Sequence, residues 1–128
     1  MAEDSDHYPS VTPYLIVPDV NELMTFLTEV FDATIRLKHE EVGRVVHAEM
    51  NVGDSLIMMS QATEQYPALT GMYYIYLGEC DKYYERAMAR GAKSLRAPTN
   101  ENYGHRSAGV EDSNGVQWWM AGRLVVNS

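Results

Sequence analysis

His47 and Glu49 stand two residues apart in Arg44–Val52, a stretch rich in β-branched and apolar residues. In a strand, side chains alternate faces with a period of two, so both groups point the same way. An imidazole beside a carboxylate can act as a general acid/base pair or hydrogen-bond a bound molecule. The same pair also suits the solvated side of a sheet. Arg106 follows Tyr103-Gly104-His105. Its guanidinium can grip a carboxylate or phosphonate in two-pronged fashion, or pair structurally with Glu101, Glu111 or Asp112. Trp118 and Trp119 are adjacent, so one is expected in the core. The other, taken as Trp119, offers its ring to a ligand. Cys80, the single cysteine, lies between Glu79 and Asp81, which raise a thiol pKa and make it a poor nucleophile. A metal site made from His47, Glu49 and His105 has no spacing signature. The chain has neither a phosphate-cradling glycine loop nor a dinucleotide fingerprint.

The elements that must position these groups read as one pattern written twice. Val11–Val17 reads as a strand. Pro18-Asp19 ends it, and Asp19 with Glu22 forms a capping-box-like helix start. Leu23, Phe26, Leu27, Val30 and Phe31 recur with helical spacing. Strands are expected around Thr34–Glu40, Arg44–Val52 and Ser55–Ser60, with Gly53-Asp54 as a hairpin turn. The second half repeats the order. Met72–Leu77 is a strand, Asp81 a cap, Tyr84, Ala87 and Met88 a helical stripe, and Gly91 a helix stop. Further strands fall around Ser94–Ala97, Ser107–Glu111 and Val116–Gly122, with Asn114-Gly115 as the matching turn. A fixed offset between Val17 and Leu77, and between Asp54 and Asn114, marks a duplicated module. The expected fold class is α+β, two βαβββ modules with sheets curved around a cleft. The expected organisation is a flexible N-terminus over 1–10 and one domain over 11–122, with modules of about 11–60 and 72–122. A tail over 123–128 follows.

Alternation also predicts which side chains face the cleft. Val46, Ala48, Met50 and Val52 should lie under a helix, with Val45, His47, Glu49 and Asn51 opposite. Thr12, Tyr14 and Ile16 share one face, as do Met72, Tyr74 and Tyr76, and Gln117 with Trp119. Met58, Met59 and Met72 are flexible space-fillers. Tyr14, His47, Glu49, Met58, Tyr74, Tyr103, Arg106 and Trp119 are therefore the candidate ligand contacts. An aromatic lining with a few polar groups suits a small, partly apolar molecule.

Composition narrows the partners. The 128 residues carry a net charge of −8, which disfavours a phosphate backbone, so no nucleic-acid partner is expected. The sequence has no apolar run long enough to span a bilayer, and the acidic start Met1–Asp6 is unlike a signal peptide. A lone cysteine fits a reducing cytoplasm.

These residues resemble the vicinal oxygen chelate superfamily, which includes glyoxalases, bleomycin-resistance proteins and dioxygenases. Val11–Asp19 before a helix and Val46–Ser60 with its Gly53-Asp54 turn resemble the opening module. Tyr103–Trp119 resembles the Tyr-Gly-x-Arg and Asp-x-x-Gly-x-x-Trp pattern of a glyoxalase-like branch associated with phosphonate operons. The resemblance covers roughly residues 11–122. It implies a metal bound by one residue from each of four strands, and a homodimer as the common assembly. Carried over, the four ligand positions fall on Thr12, Met58, Met72 and Trp119, which are poor ligands for a hard or borderline divalent ion. The expectation is a metal-independent, cofactor-free small-molecule binder, one that sequesters an antibiotic or metabolite. The alternative is a metal-dependent glyoxalase- or dioxygenase-type enzyme with a different ligand set. A dimeric module without a dedicated ligand is a third reading.

Overall fold

The computed structural model describes residues 8–124. The chain runs β1 (Tyr14–Val17), α1 (Val20–Phe31), β2 (Thr34–Glu41), β3 (Arg44–Val52), β4 (Ser55–Gln61), then β5 (Met72–Tyr76), α2 (Cys80–Ala89), β6 (Lys93–Asn100), β7 (His105–Glu111) and β8 (Gln117–Arg123). Each module forms a four-stranded sheet, ordered β1-β4-β3-β2 and β5-β8-β7-β6, with the first strand parallel to the last. The α+β fold of two βαβββ modules is therefore as the duplication predicts. No helix among the described residues is long and apolar enough to cross a membrane.

Each helix covers one face of its own sheet, and the two helices pack on each other. One continuous core results. Trp118 is fully buried, and its ring lies 6.4 Å from that of Phe26, 6.0 Å from Phe31 and 5.3 Å from Tyr73. A residue of the second module thus plugs the helix of the first.

Several local expectations are revised. Asp19 caps α1 by accepting from the Glu22 N–H at 3.1 Å, but the Glu22 side chain does not reach back. It pairs with Arg90 at 2.6 Å. The Asp19 N–H donates instead to Asn114 Oδ1 at 2.8 Å, and Asn114 Nδ2 donates to the Asp19 carbonyl at 2.9 Å. The Asn114-Gly115 turn is not a two-residue hairpin. Asp112–Val116 form a longer loop, in which the Asp112 carboxylate accepts from Asn114 N, Val116 N and Trp118 Nε1. The buried face of α2 carries Cys80, Tyr83 and Ala87, while Met88 is exposed and Tyr84 only partly covered. A β-bulge in β3 opposite His39 and Glu40 turns Val45 into the core and Val46 out, the reverse of strict alternation. Of the segment read as loose, Tyr8 is hydrogen-bonded to Glu49, and residues 1–7 lie outside the described residues. Of the expected tail, Arg123 ends β8, Leu124 N donates to the Gly104 carbonyl at 2.8 Å, and 125–128 lie outside the described residues.

Val42 and Gly43 join β2 to β3 in a two-residue turn with φ values of 51° and 74°. A β-branched residue is poorly suited to left-handed backbone, and Val42 is fully exposed with nothing to compensate. Val42→Asn restores the favoured Asn-Gly pair. It is expected to raise stability by about 1 kcal/mol, read as a higher urea midpoint at unchanged slope.

Candidate functional site

The face of each sheet turned away from its helix is the open face. In the first sheet the β1–β4–β3 register aligns Tyr14 with Met58, and Met58 with Glu49. In the second it aligns Tyr74 with Trp119, and Trp119 with Gly109. The two faces are thus built on the same plan, with Tyr14 and Tyr74 as counterparts and Met58 and Trp119 as counterparts.

On the first open face, polar groups form a line. The Tyr14 hydroxyl lies 3.2 Å from His47 Nδ1, and His47 Nε2 lies 3.3 Å from Glu49 Oε2. Glu49 Oε1 accepts from Arg36 at 2.6 Å and from the Tyr8 hydroxyl at 2.8 Å. Arg36 also lies over the Tyr8 ring at 4.5 Å. Glu49 is only 3 % exposed. Burial alone would push its carboxyl pKa up. The hydrogen bonds from Tyr8, His47 and Arg36 together outweigh burial and hold it below the ordinary value. A carboxyl so depressed stabilises the fold above its ordinary pKa of 4.5, and that contribution is lost as the pH falls through the depressed value. Acid titration of the urea midpoint should therefore show a loss below that point which Glu49→Gln flattens, since the amide cannot titrate.

Tyr14 also lines a groove of about 920 Å³ with Ile16, Val46, Ser60 and Tyr66. Glu41 and Glu64 complete its acidic rim, and among the described residues no Lys or Arg lines it. A smaller hollow of about 460 Å³ lies between Val11, Pro13 and Leu56 of the first module and Tyr74 and Tyr76 of the second.

The second open face is aromatic. A Cβ placed on Gly109 would come within 2.6–2.7 Å of three atoms of the Trp119 indole. The indole therefore lies flat across Gly109, where no side chain lifts it. Its Nε1 donates to Gln117 Oε1 at 3.1 Å, a second restraint on the ring. Tyr74 hydrogen-bonds His105 Nδ1 at 2.8 Å, and the rings of Tyr76 and Tyr103 lie 5.0 and 5.2 Å from that imidazole. Tyr74, Tyr76 and Tyr103 are each more than half exposed. Burial, then the neighbouring Tyr103 and Tyr76, push the Tyr74 phenol pKa up.

Seven of the eight residues selected from sequence thus divide between the open faces: Tyr14, His47, Glu49 and Met58 on the first, Tyr74, Trp119 and the flanking Tyr103 on the second. Arg106 is the exception. Alternation along β7 turns it away from His105, and it makes a two-pronged ion pair with Asp81 at 2.7 and 3.1 Å and a bond to Asn100. It is a strand-to-helix strut, not a clamp on the aromatic face, and its partner is Asp81 rather than Glu101, Glu111 or Asp112. Cys80 is buried, and burial more than Asp81 pushes its thiol pKa to about 11. Sequence reasoning missed Arg36, Tyr8 and Gly109. Arg36 sits at a bulge between Ile35 and Leu37, which hides it from an alternation count, and only the indole gives Gly109 a purpose.

The divalent ion implied by the resemblance does not fit these residues. Met58 and Trp119, at two of the four carried-over positions, present a soft thioether and a non-ligating indole. Both oxygens of the buried Glu49 are already hydrogen-bonded. Among the described residues, no three of His, Cys, Asp and Glu come together so as to hold a metal ion.

Comparison with known proteins agrees with this architecture. The family model described as "Glyoxalase/Bleomycin resistance protein/Dioxygenase superfamily" matches residues 6–120. No curated protein matches the chain. Among solved structures, TioX from Micromonospora sp. ML1 superposes with a TM-score of 0.78 at 20 % identity, covering 91 % of this chain and 99 % of that one. The fosfomycin resistance protein FosX from Mesorhizobium loti gives 0.65 at 18 %, covering 91 % and 93 %. A PhnB protein from Bacillus cereus, described as a putative 3-demethylubiquinone-9 3-methyltransferase, gives 0.66 at 17 %, covering 89 % and 99 %. At these identities the likeness is one of fold.

Proposed function

We propose a function from one premise: the chain belongs to the Glyoxalase/Bleomycin resistance protein/Dioxygenase superfamily, whose model spans residues 6–120. Its role is to bind a small neutral or cationic molecule with a planar aromatic part, without a metal or cofactor. The single observation that carries this reading is the Trp119 indole, seated flat on Gly109 and locked by Gln117. A preorganised ring costs little entropy to stack against. The exposed tyrosines around it extend the contact area. A net charge of −8 favours a cation over an anion. This argues against fosfomycin, whose phosphonate would approach a chain of net negative charge, and against a role in phosphonate chemistry.

A second copy of the chain completes the site in this proposal. Among the described residues of one chain, no strand of one sheet is hydrogen-bonded to a strand of the other, and Met72, Tyr74, Tyr76 and Tyr103 stand exposed. Such a patch is large for a surface left to water. The cytoplasm is the compartment this reading assigns.

Binding is tested with proflavine, a planar aromatic cation, against fosfomycin, an anion, in buffer containing a chelator. Saturable binding of proflavine and none of fosfomycin is expected, with light scattering reporting a dimer. Binding of fosfomycin in preference, or of neither, would refute the proposed ligand class.

A further inference from the structure

Glu49 is an unusual residue to bury on a sheet face. A carboxylate and a guanidinium taken from water cost more than a well-packed apolar pair would. The duplication supplies an internal control on whether the fold needs them. In the second module, the register places Ser107 opposite Ala121 and Gly109 opposite Trp119, where the first places His47 opposite Ser60 and Glu49 opposite Met58. The same strand in the same sheet is therefore built with Ser and Gly at the counterparts of His47 and Glu49. In the second module Tyr74 makes the corresponding contact with His105, and among the described residues no carboxylate is hydrogen-bonded to that imidazole.

We propose that Tyr14, His47 and Glu49 form a proton-transfer site, whose head is the Tyr14 hydroxyl acting on a neutral small molecule held in the adjoining groove. This goes beyond binding but rests on the groove accepting small neutral molecules. The order of the groups fits the role. Tyr14 is about half exposed and lines the groove, His47 is partly covered, and Glu49 is buried and held by Arg36 and Tyr8. A carboxylate fixed behind an imidazole sets its tautomer, Nε2–H toward Glu49, and leaves Nδ1 free to accept from Tyr14. When the Tyr14 oxygen takes a proton from the ligand, its own proton passes to His47 Nδ1. The imidazolium so formed is stabilised by Glu49 and later releases its proton to water. Tyr14 is the catalytic residue; His47 and Glu49 act through it as positioning residues.

The probe is 5-nitrobenzisoxazole, a planar neutral compound of a size the groove admits. Loss of its C3 proton to Tyr14 drives cleavage of the ring N–O bond and leaves a nitrile and a phenolate, with no other reactant. Nitrobenzotriazole, a planar relative with no such bond to break, reports binding alone. Saturable turnover above the buffer rate is expected. Tyr14→Phe should lower kcat/KM roughly a hundredfold with little change in nitrobenzotriazole affinity. Glu49→Gln should move the inflection of the pH–rate profile, which a purely structural role would not do. Lys82→Gln, at the exposed Lys82–Glu79 pair of the second module, should leave turnover unchanged. Thermal melts confirm that each variant folds. Binding of nitrobenzotriazole with no turnover, or turnover indifferent to Tyr14→Phe, overturns the proton-transfer site and leaves the binding groove standing. Absence of both binding and turnover removes the groove as well.

Discussion

Trp118→Ala is expected to destabilise the fold by about 3–5 kcal/mol, enough to lower the melting temperature by roughly 10–20 °C. Three effects combine. Removing the indole leaves a void among Phe26, Phe31 and Tyr73, which belong to both modules, so no single element can close on it. The lost Nε1–H was one of three donors to the buried Asp112 carboxylate. Burial already pushes that carboxyl's pKa up, and the Trp118 bond is the foremost of those opposing it. Loosening Asp112 also frees the loop that carries Asn114, and with it the two bonds that hold the backbone of the capping residue Asp19 from the other module. Trp118→Phe, which keeps most of the volume and loses the donor, should fall between. Urea unfolding of the three proteins checks the order; equal midpoints for wild type and Trp118→Ala would contradict the packing described.

Gly109→Val is expected to leave the protein folded but to weaken proflavine binding about ten- to a hundredfold, each tenfold being about 1.4 kcal/mol. The new side chain would overlap the indole directly, since even a Cβ meets it at 2.6 Å. The overlap falls on a side chain that borders the open face, so Trp119 can swing out without moving the backbone. Valine is also at home in a strand. Stability and affinity should therefore separate, opposite to Trp118→Ala, where both are lost. Calorimetric titration beside a thermal melt reads the two quantities; unchanged affinity in a folded Gly109→Val protein would mean that the platform is not what the ligand touches.

These two neighbours show how far the sequence could be read. Alternation alone separates Trp118 from Trp119 and puts one inside. It also gives the shared faces of Tyr14 with Ile16 and of Tyr74 with Tyr76, because period-two patterning needs no knowledge of partners. The duplicated order of elements gives the fold for the same reason. What is illegible depends on contacts between distant segments. One bulge sets Arg36 beside Glu49 and another turns Val45 from its counted face into the core, and no local signal marks a bulge at either place. Glu22 looks like a capping-box partner until Arg90, far along the chain, pairs with its carboxylate and Asn114 accepts from the Asp19 N–H in its place. Arg106 lies in a stretch that resembles a ligand motif, yet Asp81 sits on the other side of the strand to receive it. Gly109 reads as an ordinary small residue unless the ring resting on it is known.

The central claim is that a small molecule stacks on Trp119 without the help of a metal. The two tryptophans give two indole N–H signals in a ¹H–¹⁵N spectrum, one from the core and one from the open face. In chelator-stripped protein, proflavine should shift the Trp119 signal strongly and leave the Trp118 signal in place, and later addition of zinc or manganese should change neither the shift nor the affinity. A Trp119 signal that stays still, or one that moves only once the divalent ion is present, would contradict the account.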